Sequence, residues 1–248
     1  MKKMQVIIIG IGEVGKSISK IIKNKHKVIE IDKNPVKVSK KVNVCHICYP
    51  YSEKFINITV NYIKKYNPDL TIIESTVPPK TTEQIFKKTK KSIVHSPIRG
   101  VHPNLVKYIR YGIKYIGPVN KKSADLAEKY YKSVGIKTKV LKTPRETELG
   151  KLLSTNYYGL CITWHQEMKR ICDKFNVDFN QAVKDFNKTY NELYKKYPHP
   201  NKKISVIRPN LFPGKIGKHC VMPNAEILNK IYKSDFLDAM IKSNKKKI

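Results

Sequence analysis

The feature that most constrains this chain is a glycine-rich segment that directly follows a short apolar run. Residues 5–9 (QVIII) have the β-branched composition of a buried parallel strand, and GIGEVG follows at 10–15. A second apolar run at 27–31 ends at Asp32. Between the runs a helical pattern places apolar residues on one face, at Val14, Ile18, Ile21 and Ile22. This order of strand, turn, helix and strand predicts a βαβ unit.

The three glycines of the turn suit the binding of a dinucleotide phosphate. Gly10 permits the tight turn, Gly12 lets a pyrophosphate approach the backbone, and Gly15 permits close packing of the helix. The helix N-terminus supplies unpaired N–H groups to the anion. The pattern therefore predicts a Rossmann-type domain that binds a dinucleotide.

Asp32 decides which dinucleotide is expected. A carboxylate at the end of the second strand accepts hydrogen bonds from the ribose hydroxyls and repels a 2′-phosphate, which favours NAD over NADP. Lys33 and Lys37 act in the opposite direction, because a nearby cation accommodates that phosphate. We assign the following residues to the cofactor: Gly10, Gly12, Glu13, Val14, Gly15, Asp32, Lys37, Tyr49, Pro50 and Thr76.

The rest of the chain divides into an α/β half and a helical half. Further strands are predicted at 42–48, 70–74, 92–95, 113–116 and 137–141. The predicted fold is a doubly wound, mostly parallel Rossmann sheet (domain 1–145), followed by a smaller all-helical domain (146–248). Its helices are expected at 146–175, 179–197 and 225–241.

Composition narrows the function classes. The net charge of +31 alone suggests an anionic partner, but only five of the 50 basic residues are arginine and no nucleic-acid motif accompanies them. We therefore do not expect nucleic-acid binding. No apolar stretch is long enough for a membrane span, and the five cysteines are an odd number, so we expect a cytoplasmic protein with reduced thiols and no metal site.

Two residues of the second half are candidates for chemistry. Cys220 ends the glycine-rich segment GKIGKHC (214–220), beside Lys218 and His219, and such surroundings lower a thiol pKa and expose it. The alternative is a small structural residue in a loop. Lys151, near the start of the long helix, could stabilise an oxyanion, although periodicity alone favours a solvated lysine.

Four separated motifs resemble the UDP-glucose/GDP-mannose dehydrogenase family. They are GIGEVG, ESTVPPKTTEQ (74–84), ETELGKLLSTN followed by QE, and PGKIGKHC. In that family, a hydride passes from C6 of a nucleotide sugar to NAD, and a cysteine captures the aldehyde as a thiohemiacetal. A second oxidation gives a thioester that water hydrolyses. The resemblance implies that Cys220 is the nucleophile, Lys151 stabilises the oxyanion and Thr76 positions water.

The sequence departs from the family pattern at three positions. Ile98 replaces the glutamate of the SPE motif, Thr155 replaces an asparagine that is displaced to Asn156, and Asn224 replaces an aspartate. Each change removes a group that supports acid–base or oxyanion chemistry, so hydrolysis is the step most affected. The chain also ends before the family's second Rossmann-like domain, which implies that another chain supplies it or that the substrate is smaller.

Three functions stay open at this level. The first is a shortened nucleotide-sugar dehydrogenase, and the second is a β-hydroxyacid dehydrogenase-like enzyme, which needs no cysteine. The third is a catalytically silent NAD-binding protein with polyanion contacts. The resemblance and the long amphipathic helix also predict a homodimer.

Overall fold

The computed structural model describes residues 3–32, 36–101, 103–201, 204–217 and 219–246. The chain forms two compact units, Met1–Lys151 and Leu152–Ile248. The predicted domain boundary between residues 145 and 146 stays a prediction.

The first unit contains a seven-stranded sheet, in the order β2-β1-β3-β4-β5-β6-β7. All neighbouring strands are parallel except β5 and β6, which are antiparallel. The predicted doubly wound, mostly parallel sheet is therefore confirmed. Because β2 and β3 flank β1 on opposite sides, the strand order reverses at β1, where α/β proteins bind ligands. The strands are β1 (Gln5–Ile9), β2 (Lys27–Ile31), β3 (Val44–Ile47), β4 (Leu70–Ile73), β5 (Ile93–His95), β6 (Ile113–Pro118) and β7 (Lys137–Val140).

Helices cover both faces of this sheet, because both faces are apolar. Along β1, Val6 and Ile8 belong to one core cluster, whereas Ile7 and Ile9 belong to the other, as the two-residue period of a strand dictates. Full burial of each such side chain stabilises the fold by about 1.5–3 kcal/mol. The helices are α1 (Glu13–Ile22), α2 (Phe55–Tyr66), α3 (Thr81–Thr89), α4 (Leu105–Tyr111), α5 (Lys121–Ser133) and the beginning of α6 (Pro144–Lys174).

The regular elements of the second unit are all helical in the part that the structure describes, and residues 204–217 form a loop without regular secondary structure. The unit contains most of α6, a π-helical stretch at Asn180–Asp185, α7 (Phe186–Lys196), α8 (Val221–Ile231) and α9 (Asp235–Ser243). The helix predicted at 225–241 is wrong in one respect, since it is interrupted before residue 235. The amide of Asn229 accounts for the break: its oxygen accepts from the Ser234 N–H at 3.1 Å, and its nitrogen donates to Asp238 at 2.8 Å. None of the helices described is long and apolar enough to span a membrane.

The CHIC segment lies in the sheet, as predicted. Cys45 and His46 are fully buried in β3. Among the described residues, no three histidine, cysteine or acidic side chains are grouped closely enough to hold a metal ion.

Candidate functional site

The glycine-rich turn joins β1 to α1, and its three glycines serve different purposes. Gly10 is left-handed, at φ +92°, and its N–H donates to the carbonyl of Ile31 at 2.8 Å. A Cβ on Gly15 would lie 2.0 Å from the Gly10 carbonyl oxygen, so α1 could not approach the turn with another residue there. Gly12 is exposed, and a Cβ on it would meet no described atom within 4 Å. The fold therefore requires Gly10 and Gly15, whereas Gly12 leaves space beside the helix N-terminus.

That helix N-terminus and a carboxylate meet at the turn. Gly12 is the N-cap of α1 and brings no side chain to cap the first N–H groups, which have no partner within the helix. The helix dipole adds a partial positive charge of about half a unit. Asp32 follows β2, and its Oδ1 accepts a hydrogen bond from the N–H of Ile11 at 3.4 Å. The turn thus offers donors for a pyrophosphate and a carboxylate for ribose hydroxyls.

The other residues that we assigned to the cofactor lie at different depths. Tyr49 is against the turn, because its backbone nitrogen would be 2.7 Å from a Cβ on Gly10. Its hydroxyl bonds to that of Thr59 at 2.6 Å. Val14 packs against the core. Lys33, which was not assigned to the cofactor but would favour NADP, lies outside the described residues. The exposed positions are Glu13, Lys37 and Pro50.

Buried Glu148 fastens α6 to the start of α3, a contact that joins two of the motifs. Its Oε1 accepts from the Thr82 N–H at 2.9 Å and from the Thr82 hydroxyl at 2.7 Å, and its Oε2 accepts from the Lys80 N–H at 2.7 Å. Burial raises the pKa of Glu148 to about 7, although these hydrogen bonds act in the opposite direction. The sequence analysis gave this residue no role, although it lies within ETELGK.

His95 makes a second buried contact between the same motifs. Its Nε2 lies 3.1 Å from the carbonyl oxygen of Ser75, and its Nδ1 lies 2.8 Å from the hydroxyl of Thr147. Burial lowers the pKa of His95 to about 3, and the charge of Lys151 acts in the same direction. Thr76 and Lys151, both half-buried, therefore lie near one imidazole that the sequence analysis did not single out.

A third buried network surrounds Glu74, the first residue of ESTVPPKTTEQ. Its carboxylate contacts the Lys114 ammonium, the His46 Nδ1 at 3.0 Å and the Tyr131 hydroxyl at 3.2 Å. Burial raises the pKa of Glu74, but Lys114 and His46 outweigh burial and hold it below its usual value. Lys114 also donates to the carbonyl of Ser96 and so anchors residues 95–98 (HSPI), the segment in which Ile98 replaces the family's glutamate.

Cys220 lies in the second unit, at the N-cap of α8. It is the one exposed cysteine of the five, all of which the structure describes. The other four cysteines lie in apolar strand or helix patterns, which predict core positions; this holds for the buried Cys45 and Cys172, whereas Cys48 and Cys161 are half-buried. His219 is exposed, and Lys218 lies outside the described residues.

Asn156, also in the second unit, is buried beside the backbone of Asn224. Its Nδ2 donates to the carbonyl of Leu152 at 2.9 Å and to that of Asn224 at 3.4 Å. Its Oδ1 has no hydrogen-bond partner among the described residues. Thr155, the preceding position, is half-buried, and Ile98 in the first unit is buried in the core.

Comparisons with known proteins find relatives of this chain among the nucleotide-sugar dehydrogenases. The chain is 31% identical over 180 residues to the UDP-N-acetyl-D-mannosamine dehydrogenase of Methanococcus maripaludis, a match that covers 71% of this chain and 38% of the relative. The chain is a relative of the nucleotide-sugar dehydrogenases. The matched part of this chain spans well under half the length of these curated proteins. No model of a protein family matches it.

Solved structures confirm the fold of this nucleotide-sugar dehydrogenase relative. The UDP-N-acetylmannosamine dehydrogenase of Pyrococcus horikoshii superposes with a TM-score of 0.75 at 18% identity, covering 97% of this chain and 68% of that one. The 3-hydroxyisobutyrate dehydrogenase of Mycobacterium tuberculosis gives a TM-score of 0.70 at 10% identity, covering 97% and 92%. The fold is thus shared with enzymes that act on different substrates, so substrate choice depends on the site.

Proposed function

We propose that this protein is an NAD-dependent oxidoreductase that acts on a nucleotide sugar. The observation that carries the proposal is the glycine turn, where the open space at Gly12 adjoins the N-terminus of α1 and the Asp32 carboxylate. These groups match the pyrophosphate and the ribose hydroxyls of NAD, which would accept a hydride from the substrate carbon. The similarity to UDP-N-acetyl-D-mannosamine dehydrogenases favours a UDP-linked sugar as substrate.

In this proposal, Cys220 captures the aldehyde that the first oxidation produces. The thiolate sulfur adds to the aldehyde carbon, and the oxygen takes up a proton to give a thiohemiacetal. Loss of a second hydride to a second NAD and of a proton gives a thioester, which water hydrolyses to the acid and the free thiol. The exposure of Cys220 supports this role, since an attacking thiol must be reachable.

Lys151, Thr76 and Asn156 serve that chemistry as polar partners. The Lys151 ammonium stabilises oxygen charge, and Thr76 orients the attacking water. The Oδ1 of Asn156, which lacks a partner among the described residues, accepts a hydrogen bond from a hydroxyl or a water. Ile98 is a buried apolar residue, so no carboxylate at that position assists hydrolysis. We therefore expect the thioester to persist longer than the thiohemiacetal.

The test is formation of NADH with defined substrates. We expect NADH to form when the protein is mixed with NAD and UDP-N-acetyl-D-mannosamine or another nucleotide sugar, and not with 3-hydroxyisobutyrate. Cys220→Ser is expected to yield no acid while NAD affinity is retained, because the nucleophile acts after the first hydride has left. Intact-protein mass spectrometry should show a sugar adduct on the wild type alone.

The matched control is Cys161→Ser, which changes a half-buried thiol on α6 and should leave acid formation unchanged. Full acid formation by Cys220→Ser would exclude the thioester route. NADH formation with the hydroxyacid alone would identify the other enzyme class, and NAD binding without any turnover would leave a binding protein.

The proposal includes a homodimer that forms through α6. Large apolar side chains at spacings of four and seven residues lie on one face of this helix and are exposed: Leu153, Tyr157, Trp164, Ile171 and Phe175. Leu160 and Met168 continue the apolar spacing of α6 in the sequence but pack within their own unit. An exposed apolar row of this length is typical of an interface.

Charged residues on that row should separate the protomers. We expect Tyr157→Glu/Trp164→Glu to be a folded monomer, since both side chains are exposed, with fractions of 68% and 58%. Asp173→Asn is the control, because it lies nine residues from Trp164 and hence on the opposite face of α6. Light scattering of the wild type and both variants measures the mass, and a monomeric wild type would contradict the proposal.

A further inference from the structure

The buried His95 connects two segments that the proposed chemistry uses. It ends β5 and is fully buried in the first unit. Its two ring nitrogens reach the Ser75 carbonyl at 3.1 Å and the Thr147 hydroxyl at 2.8 Å. Ser75 directly precedes Thr76. Thr147 lies four residues before Lys151, one helical turn away on the same face of α6.

Hydrogen-bonding rules fix the protonation of this imidazole. A carbonyl oxygen only accepts, so Nε2 must carry the hydrogen that bonds to Ser75. Because burial lowers the pKa of His95 to about 3, the ring is neutral at physiological pH, and Nδ1 has a free lone pair. The Thr147 hydroxyl oxygen lies 2.8 Å from Nδ1 and 2.9 Å from the carbonyl oxygen of Pro144, so its single proton has two acceptors. Donation to Nδ1 is the arrangement that leaves the ring nitrogen with a partner. Both bonds have a fixed direction, which a protonated or flipped ring would lose.

The surrounding contacts leave these two segments little freedom to move. The Ser75 hydroxyl donates to the carbonyl of Tyr49 at 2.6 Å, and that residue lies against the glycine turn. On the other side, a Cβ on Gly117 would lie 2.2 Å from the Thr147 hydroxyl oxygen and 2.6 Å from the Cα of Pro144. The start of α6 thus packs directly on β6, and the imidazole bridges it to the end of β4.

We propose that His95 is a positioning residue, which holds Thr76 and Lys151 in the mutual placement that turnover requires. The inference rests on the proposed function, because that function requires Thr76 and Lys151 to act on the same substrate. His95 itself need not touch substrate or cofactor. Its loss should lower kcat more than it weakens NAD binding, because Gly12 and Asp32 make no contact with it, whereas Ser75, its partner, adjoins Thr76 and bonds to the backbone of Tyr49.

Two substitutions separate the two bonds. His95→Asn places an amide oxygen near Nδ1 and keeps the bond from Thr147, whereas His95→Gln places an amide nitrogen near Nε2 and keeps the bond to Ser75. We expect kcat to fall about tenfold to hundredfold in each, as small displacements of catalytic groups cause. In amide hydrogen exchange, residues 74–80 should become less protected in His95→Asn, and residues 144–151 in His95→Gln.

Substitutions of Thr147 keep the test decisive if His95 variants fold poorly. Thr147→Val removes the hydroxyl and should lower kcat as His95→Gln does, whereas Thr147→Ser retains the hydroxyl and should restore kcat. His95→Gln and Thr147→Val remove the same hydrogen bond, the one between the Thr147 hydroxyl and Nδ1. The double variant should therefore have a kcat no lower than that of either single variant. Unchanged kcat in folded variants, or unchanged exchange in both segments, would overturn the inference. A wild type without turnover would contradict the proposed function. Amide hydrogen exchange would then still test whether His95 holds residues 74–80 and 144–151 in place.

Discussion

Replacing Gly12 with valine is expected to abolish NAD binding while the fold is retained. The Cβ position is open, and the backbone at φ −72° suits any residue, so valine causes no clash in the free protein. As the N-cap of α1, valine should cost the helix only about 1 kcal/mol relative to glycine. The branched side chain would, however, occupy the space through which a pyrophosphate reaches the helix N-terminus.

Calorimetric titration with NAD and thermal unfolding separate these two effects. Gly15→Ala is expected to lose binding together with stability, because its Cβ would overlap the carbonyl oxygen of Gly10. Gly217→Val is the control and should bind NAD as the wild type does. Gly217 is also exposed with open space at its Cβ, but it lies in the glycine-rich segment 214–220 and not in the turn. Wild-type affinity in Gly12→Val would remove the assignment of the glycine turn to the cofactor.

The first strands and the glycine turn could be predicted because their signals are local. The strands 5–9 and 27–31 match their predicted bounds, since each contains β-branched residues and is closed by a turn or a charged residue. The first is fully buried, whereas the second is a partly exposed edge strand. The requirement for Gly10 and Gly15 likewise follows from backbone geometry within one βαβ unit. Features that arise within about 30 residues are thus visible in the sequence.

The buried contacts of His95 and Glu148 could not be predicted, because their partners are distant in sequence. His95 and Thr147 are 52 residues apart, and Glu148 and Thr82 are 66 apart. A periodicity argument treats each of these polar residues singly and cannot pair them. Their one sequence signal is membership in the motifs that carry the family resemblance, which marks a residue without stating its partner.

The break between α8 and α9 shows a related limit. The apolar spacing from 225 to 241 continues across the break, so the hydrophobic pattern predicts one helix. The side chain of Asn229 instead satisfies the Ser234 N–H and holds Asp238. A polar side chain that competes for backbone groups thus overrides the pattern.

Replacing Lys114 with methionine is expected to destabilise the first unit by about 3–5 kcal/mol, because it leaves the Glu74 carboxylate buried without its cation. His46 and the Tyr131 hydroxyl remain as hydrogen-bond partners of the carboxylate. Glu74→Gln/Lys114→Met should recover much of this loss, since a neutral amide needs no counter-ion. Lys121→Met removes an exposed ion pair with Asp125 and should change stability little.

The stability difference between Lys114→Met and the wild type should depend on pH in a definite direction. In the wild type, the pKa of Glu74 lies below its usual value of 4.5, so its contribution to stability is present above that pH and is lost on acidification. Without Lys114, burial should raise the pKa of Glu74, and protonation then relieves the buried charge. Acidification should therefore narrow the gap between Lys114→Met and wild type, measured by urea unfolding at several pH values. Burial is the largest cause of the lowered pKa of His95, but the Lys114 charge also lowers it, so the loss of Lys114 weakens the acid destabilisation by His95 and narrows the gap as well. Glu74→Gln/Lys114→Met shares this second effect but has no carboxylate at position 74, so it serves as the control. A gap that stays constant or widens would show that Glu74 does not depend on the Lys114 charge.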